Sequence, residues 1–226
     1  MAARVVAAMP ISSIEDKKRL VRRLAGSGRG FAEQYGFQVT NNPSSLFQLL
    51  YLSVLLSRRG DFRRAVESAR ALRDTGWDSA ARLARSLHET RVRVLRDAGQ
   101  RGDVDALADT LGDLARTVVD RYRGDLRRLR GKAQYDPRAE RKLLAELPGV
   151  DGQVVELFLR EAQVLWREVA PVADRRALAA ARRLGLGRSA DELAGLAGSG
   201  ESERFAWLVG ALARVDLEKR YAEVMS

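Results

Sequence analysis

The sequence predicts an all-α protein, and three observations carry that expectation. Apolar residues recur at helical spacing along most of the chain. Alternating runs of β-branched and aromatic residues, which strands need, are nearly absent. The segments between are punctuated by capping residues, by proline at a first turn and by glycine at helix ends. With 226 residues, 46% hydrophobic and 31% charged, the chain is globular and long enough to bury a core as one large domain or two small ones.

Taken in order, Ser12 or Ser13 caps a first helix whose first turn carries Glu15 and Asp16 and whose later part carries Arg19, Arg22 and Arg23, the order a helix dipole favours. It stops at Gly26. The stretch GSGRGFAEQYGF that follows has clustered glycines but neither the lysine nor the strand-to-helix context of a P-loop, and it reads as a linker. From Asn41-Asn42-Pro43 a helix runs through SSLFQLLYLSVLLS, apolar nearly all round and so expected at the centre of a bundle. After a break at Arg58-Arg59-Gly60, Asp61 caps FRRAVESARALRDTG, and Trp77-Asp78 opens the next helix. TRVRVLRDAG and DVDALADTLGDLARTVVDRYR continue as amphipathic helices ended by glycine. No motif repeats, which argues against a solenoid.

The formal charge of +10 rests almost wholly on arginine, the only lysines being Lys17, Lys18, Lys132, Lys142 and Lys219. Arginine's planar fork grips phosphate in bidentate fashion, so a polyanionic partner follows, the alternative being a coding preference for arginine. Charge is densest at Arg121, Arg123, Arg127, Arg128, Arg130, Lys132, Arg138, Arg141 and Lys142. Such a run is often only a solvated face, but here it leads directly into a hairpin. Without cysteine there is no disulfide, thiolate nucleophile or thiolate-held iron–sulfur cluster. The single histidine, His88, excludes a histidine-rich metal site and reads as a surface or partly buried side chain. MAARVVAAMP is too short an apolar stretch for a signal peptide, and no run of about eighteen apolar residues occurs. The expected protein is a soluble, cytoplasmic, nucleoid-associated monomer with no membrane contact, metal or cofactor.

AERKLLAELPGVDGQVVELFLREA reads as helix, tight turn, helix. Pro148 ends the first helix, Gly149 supplies a turn conformation that other residues resist, and Asp151 caps the second helix. Several backbone N–H groups and a helix start then converge, making a phosphate site that needs no side chain.

Here the sequence resembles the helix-hairpin-helix superfamily of DNA glycosylases, the group containing endonuclease III. Leu147, Pro148, Gly149 and Val150 match the family's L-P-G-V-G, with Asp151-Gly152 where a glycine usually follows at once. NPSSLFQLLYLSVLLSRRGDF looks like the family's early helix and the loop that inserts a wedge into the duplex. VADRRALAAARRLGLG is similar to V-D-T-H-V-x-R-V-x-x-R-L-G-L, placing Asp174 on the catalytic aspartate and Arg183 on a later arginine. ERFAWLVGALARVDLEKR looks like the helix that leads into the family's iron–sulfur cluster. The matches are collinear over most of residues 41 to 220. The departures are as informative. Gln153, or Val154 if one residue is inserted, stands at the Schiff-base lysine, and neither forms an imine. Asp216 stands near the first cluster cysteine, and Arg175-Arg176 replace the histidine after the aspartate.

The resemblance implies a two-lobed helical bundle of the helix-hairpin-helix DNA glycosylase type. Residues 42–166 would form a central bundle with the hairpin, and residues 1–41 and 167–226 a second lobe without a cluster. Trp166, Phe205, Trp207 and Leu208 are the core candidates of that second lobe. Its implied activity is that of a monofunctional glycosylase on double-stranded DNA, with Asp174 stabilising charge on the sugar of a flipped nucleotide. Asp174 reads equally as a plain helix N-cap. Arg58 or Arg59 would fill the gap in the stack, or else face solvent as an ordinary pair. Phosphate contacts would come from residues 147 to 152 with Arg127, Arg128, Arg130, Lys132, Arg175, Arg176 and Arg183. Two alternatives stand beside this: an inactive module that binds duplex or distorted DNA, and an RNA- or anionic-membrane-binding helical protein.

Overall fold

The computed structural model describes residues 13–198 and 202–225, and every regular element among them is helical. MAARVVAAMP and Ser12 lie outside the described residues. The chain divides into two compact units, one of Ala32–Ala170 and the other of the chain up to Phe31 together with Pro171 onward.

Local chemistry sets most helix starts. α1 (Ile14–Ala25) begins where the Ser13 hydroxyl accepts the Asp16 N–H at 3.0 Å. α2 (Phe31–Gln34) is a single turn inside the segment expected to be a linker. That expectation fails because Phe31, Ala32 and Phe37 are buried and the Ala32 N–H donates to the Glu161 carboxylate at 2.9 Å. α3 (Pro43–Ser57) has Pro43 in its first turn and Asn42 accepting the Ser45 N–H at 2.8 Å, and Asp61 caps α4 (Phe62–Asp74). α5 (Ala80–Ala84) begins after Ser79 rather than at Trp77, whose N–H closes the preceding helix on the Leu72 carbonyl at 3.0 Å. α6 (His88–Asp97) and α7 (Val104–Tyr122) follow, then α8 (Leu126–Lys132), α9 (Pro137–Ala145), α10 (Gly152–Ala162) and a 3-10 turn at Arg167–Val169. α11 (Arg175–Arg183), α12 (Ala190–Ala197), α13 (Ser202–Glu218) and α14 (Tyr221–Met225) complete the chain.

In the Ala32–Ala170 unit α3 is the axis, packed by α4, α8 and α10, while α7 is packed by α5, α6 and α8. Leu46, Phe47, Leu49, Leu50, Tyr51 and Leu52 are all buried, and each of the leucines and Phe47 contributes about 1.5–3 kcal/mol on leaving water. In the other unit α13 is the axis, against α1, α11, α12 and α14, with Phe205 and Leu208 buried and Trp207 half-buried. Trp166, expected beside them, is instead fully buried in the Ala32–Ala170 unit, edge-on to Phe158 at 5.4 Å.

Candidate nucleic-acid interface

The turn between α9 and α10 is anchored by buried Leu147 and Val150, while Gly149, Asp151 and Gly152 are exposed. The Val150 N–H donates to the Leu147 carbonyl at 3.1 Å. Proline then glycine occupy the central positions, and Gly149 takes φ +72°, the pattern of a type II turn. A Cβ on Gly149 would fall 2.2 Å from Thr110 Cγ2 on α7. α9 ends at Ala145, before Pro148. Asp151 caps α10 by accepting the Val154 N–H at 2.8 Å. The backbone N–H groups of Gly149, Asp151, Gly152 and Gln153 meet no acceptor among the described residues. Donors left open at a turn and helix start, where the dipole adds roughly half a positive charge, are of the kind that can bind an anion, although the Asp151 carboxylate stands at the same helix start.

Gln153 joins this turn to the end of α3, its Nε2 lying 3.5 Å from the Ser57 carbonyl oxygen. Arg58 and Arg59, which follow Ser57, are exposed and have no ion-pair partner among the described residues. The structure thus brings the hairpin and the Arg58-Arg59 loop to one end of the Ala32–Ala170 unit. Arg127 is paired with Asp125 at 2.8 Å and reaches the Asn41 carbonyl at 3.3 Å. Arg128 and Lys132 are exposed and unpaired among the described residues. Arg130 differs from the other basic residues expected at this surface. Its fork grips Glu168 through Nε and, at 2.7 Å, through Nη2, and the side chain is 18% exposed, so it is engaged within the fold.

In the other unit Asp174 is 4% exposed and caps α11, its Oδ2 accepting the Arg176 N–H at 3.1 Å. Arg175 is exposed, and the Arg183 guanidinium lies 4.1 Å from the centre of the Tyr221 ring. Arg176 pairs with Asp216 at 2.8 Å, and the same carboxylate accepts from Tyr221 Oη at 2.7 Å and Lys219 Nζ at 3.2 Å. Burial opposes charge on Asp216, but Tyr221, Arg176 and Lys219 outweigh it and hold the carboxyl below its usual range. This network links α11, α13 and α14. An iron–sulfur cluster does not fit here: it needs thiolates, the chain has none, and Asp216 is surrounded by donors rather than by further ligands.

Sequence reasoning missed a buried acid, Glu140, beside a half-buried one, Glu168, in the Ala32–Ala170 unit. Glu140 on α9 is fully buried, 3.9 Å from Arg130 Nε, whose fork Glu168 already occupies. Burial foremost, and then the adjacent Glu168, raise its carboxyl to about 8, while the contact with Arg130 overcomes burial to hold Glu168 below the usual range. Between pH 4.5 and about 8 the folded protein therefore keeps a proton on Glu140 that the unfolded chain releases, and stability falls as pH rises through that window. Glu140→Gln, a near-isostere of the protonated acid, is expected to be more stable than wild type at pH 8 by about 2–4 kcal/mol, with little gain at pH 4.5. Urea unfolding at the two pH values checks this; parallel pH profiles for the two proteins would refute it.

No protein family and no curated protein matches the sequence. Among solved structures the chain is similar to endonuclease III in a trapped covalent intermediate with DNA, an estranged-adenine complex, at 17% identity and TM-score 0.55. It is likewise similar to endonuclease III in a non-covalent complex with DNA, at 16% identity and TM-score 0.57. Each match covers 91% of this chain and 86% of the other. At such identities the likeness establishes the fold: the all-α architecture of endonuclease III, as the order of motifs along the sequence led us to expect.

Proposed function

We propose that this protein is a DNA-binding base-excision-repair protein that docks duplex DNA by its hairpin and removes a damaged or mispaired base as a monofunctional glycosylase. One observation carries the reading: four backbone N–H groups at Gly149, Asp151, Gly152 and Gln153 are open at an exposed turn. Backbone N–H groups of this kind are donors to a phosphate and are blind to sequence. The unpaired Arg58 and Arg59 beside them supply further phosphate contacts or a filler for the gap an extruded nucleotide leaves. The two similar structures described above are complexes of endonuclease III with DNA.

In this reading the Asp174 carboxylate stabilises positive charge developing at C1′ of the flipped nucleotide and orients the water that replaces the departing base. Gln153 offers no amine, so no imine forms and the abasic site is left uncut. A second reading, a module that binds DNA without altering it, is favoured by one fact: Asp174 is already buried and committed to capping α11.

Asp174→Asn separates the two, because asparagine caps a helix as well as aspartate does. The variant is expected to keep its duplex affinity while base release falls at least a hundredfold. The assay uses duplexes bearing oxidised, alkylated, deaminated and mispaired bases, with alkali cleavage read separately from spontaneous strand breaks. Wild type that releases nothing from the panel yet binds duplex establishes the module instead.

A further inference from the structure

Tyr135 is among the few large apolar side chains left exposed, at 60%, and its backbone is strained. α8 closes in a Schellman arrangement: the Gln134 N–H donates to the Gly131 carbonyl at 3.0 Å and the Tyr135 N–H to the Arg130 carbonyl at 3.3 Å. That motif accounts for the left-handed φ of +54° at Gln134; with the second, +59° at Tyr135, the pair forms the centre of a type I′ turn closed by the Asp136 N–H donating to the Ala133 carbonyl at 3.0 Å. Consecutive left-handed residues bearing side chains persist only where the surroundings hold them. Here the ring is held on a cation: the Arg130 guanidinium lies 4.9 Å from the Tyr135 ring centre and 5.7 Å from that of Trp166. Trp166 is fully buried and Glu168 grips the guanidinium fork, so the cation cannot swing away. Tyr135 and the buried Trp166 thus share one cation, and the Tyr135 ring is the exposed member. Arg128, Lys132 and Arg138 flank it in sequence, all exposed and unpaired among the described residues.

We propose that Tyr135 is a stacking platform for an unpaired nucleobase of single-stranded or locally opened DNA. The ring supplies an immobile π-face with a cation behind it, and the neighbouring cations supply backbone attraction. Little rotamer entropy remains to be lost on binding, because Arg130 already fixes the ring. Tyr135 precedes α9 and the hairpin turn follows it, so the two sites are separated by a nine-residue helix, about 14 Å long. The platform therefore engages a nucleotide away from the phosphate at the hairpin. The inference rests on the reading that the protein binds DNA, and goes beyond it in naming a base contact.

The test compares binding of the full chain to single-stranded oligodeoxyadenylate and to an abasic oligomer of the same length and charge. Wild type is expected to prefer the adenine strand by roughly five- to a hundredfold, the range one base–aromatic stack supplies. Tyr135→Ala should abolish the preference, Tyr135→Phe should keep it, and neither should change duplex affinity. An adenine preference that survives Tyr135→Ala, or is absent in wild type, overturns the platform while leaving duplex binding standing. Wild type that binds neither strand nor duplex overturns both readings.

Discussion

Gly149→Ala is expected to cost about 2–4 kcal/mol of stability and to lower duplex affinity by about tenfold to a hundredfold. Gly149 sits at φ +72°, a region where a Cβ costs about 1–2 kcal/mol. The added methyl also lands 2.2 Å from Thr110 Cγ2. Thr110 cannot turn aside cheaply, because it is β-branched within a helix and its hydroxyl donates to the Ala106 carbonyl at 2.8 Å. The turn must shift, and the amides of Gly149, Asp151, Gly152 and Gln153 move off the phosphate they would share. Hydrogen bonds to a charged acceptor are worth about 1.5–3 kcal/mol, which sets the affinity loss. Thr110→Ser removes the offending methyl and keeps the hydroxyl, so in the double variant part of the stability should return, the φ strain remaining. Gly152→Ala is the control, since a Cβ there meets nothing within 4 Å. Denaturant titration and duplex binding by fluorescence anisotropy measure both effects. Equal stability losses for Gly149→Ala in the wild-type and Thr110→Ser backgrounds would show that the contact carries no strain.

Glu161→Ala is expected to destabilise the protein by about 3–5 kcal/mol, as removal of one member of a buried ion pair does. Arg160 and Glu161 are both buried at adjacent positions of α10, with Nε 2.6 Å from Oε1. The other carboxylate oxygen accepts the Ala32 N–H at 2.9 Å. Truncation takes the carboxylate from a buried guanidinium and a partner from a buried amide at once. The same α10 begins at the hairpin, so the loss should reach the turn as well. Urea unfolding measures it, and a change below about 1 kcal/mol would mean that water enters and solvates the pair.

The parts of this fold that were legible in the sequence are those whose conformation is decided within a few residues. Asn42-Pro43, Asp61, Asp151 and Asp174 each precede a helix because a short polar side chain satisfies an N–H two or three residues on. Pro148-Gly149 declares its turn for the same local reason. What stayed hidden depends on residues far apart in the chain. Nothing near Gly149 announces Thr110, and nothing near Arg130 announces that Glu168 removes it from the basic surface. The burial of Phe31 and Phe37 was concealed by the glycines around them, which dominate any local reading. Tyr135 gives one faint signal, an aromatic directly before the Asp136-Pro137 helix start, and only three-dimensional packing shows that it stands on a cation.

The central claim is that the open amides of the hairpin take a DNA phosphate, and amide-resolved NMR during titration with a short duplex tests it most directly. The account predicts that the Gly149, Asp151, Gly152 and Gln153 amide resonances move together as duplex is added, and that the shifts shrink steeply with rising salt. Resonances of the turn that stay fixed while the duplex binds elsewhere on the protein would contradict it.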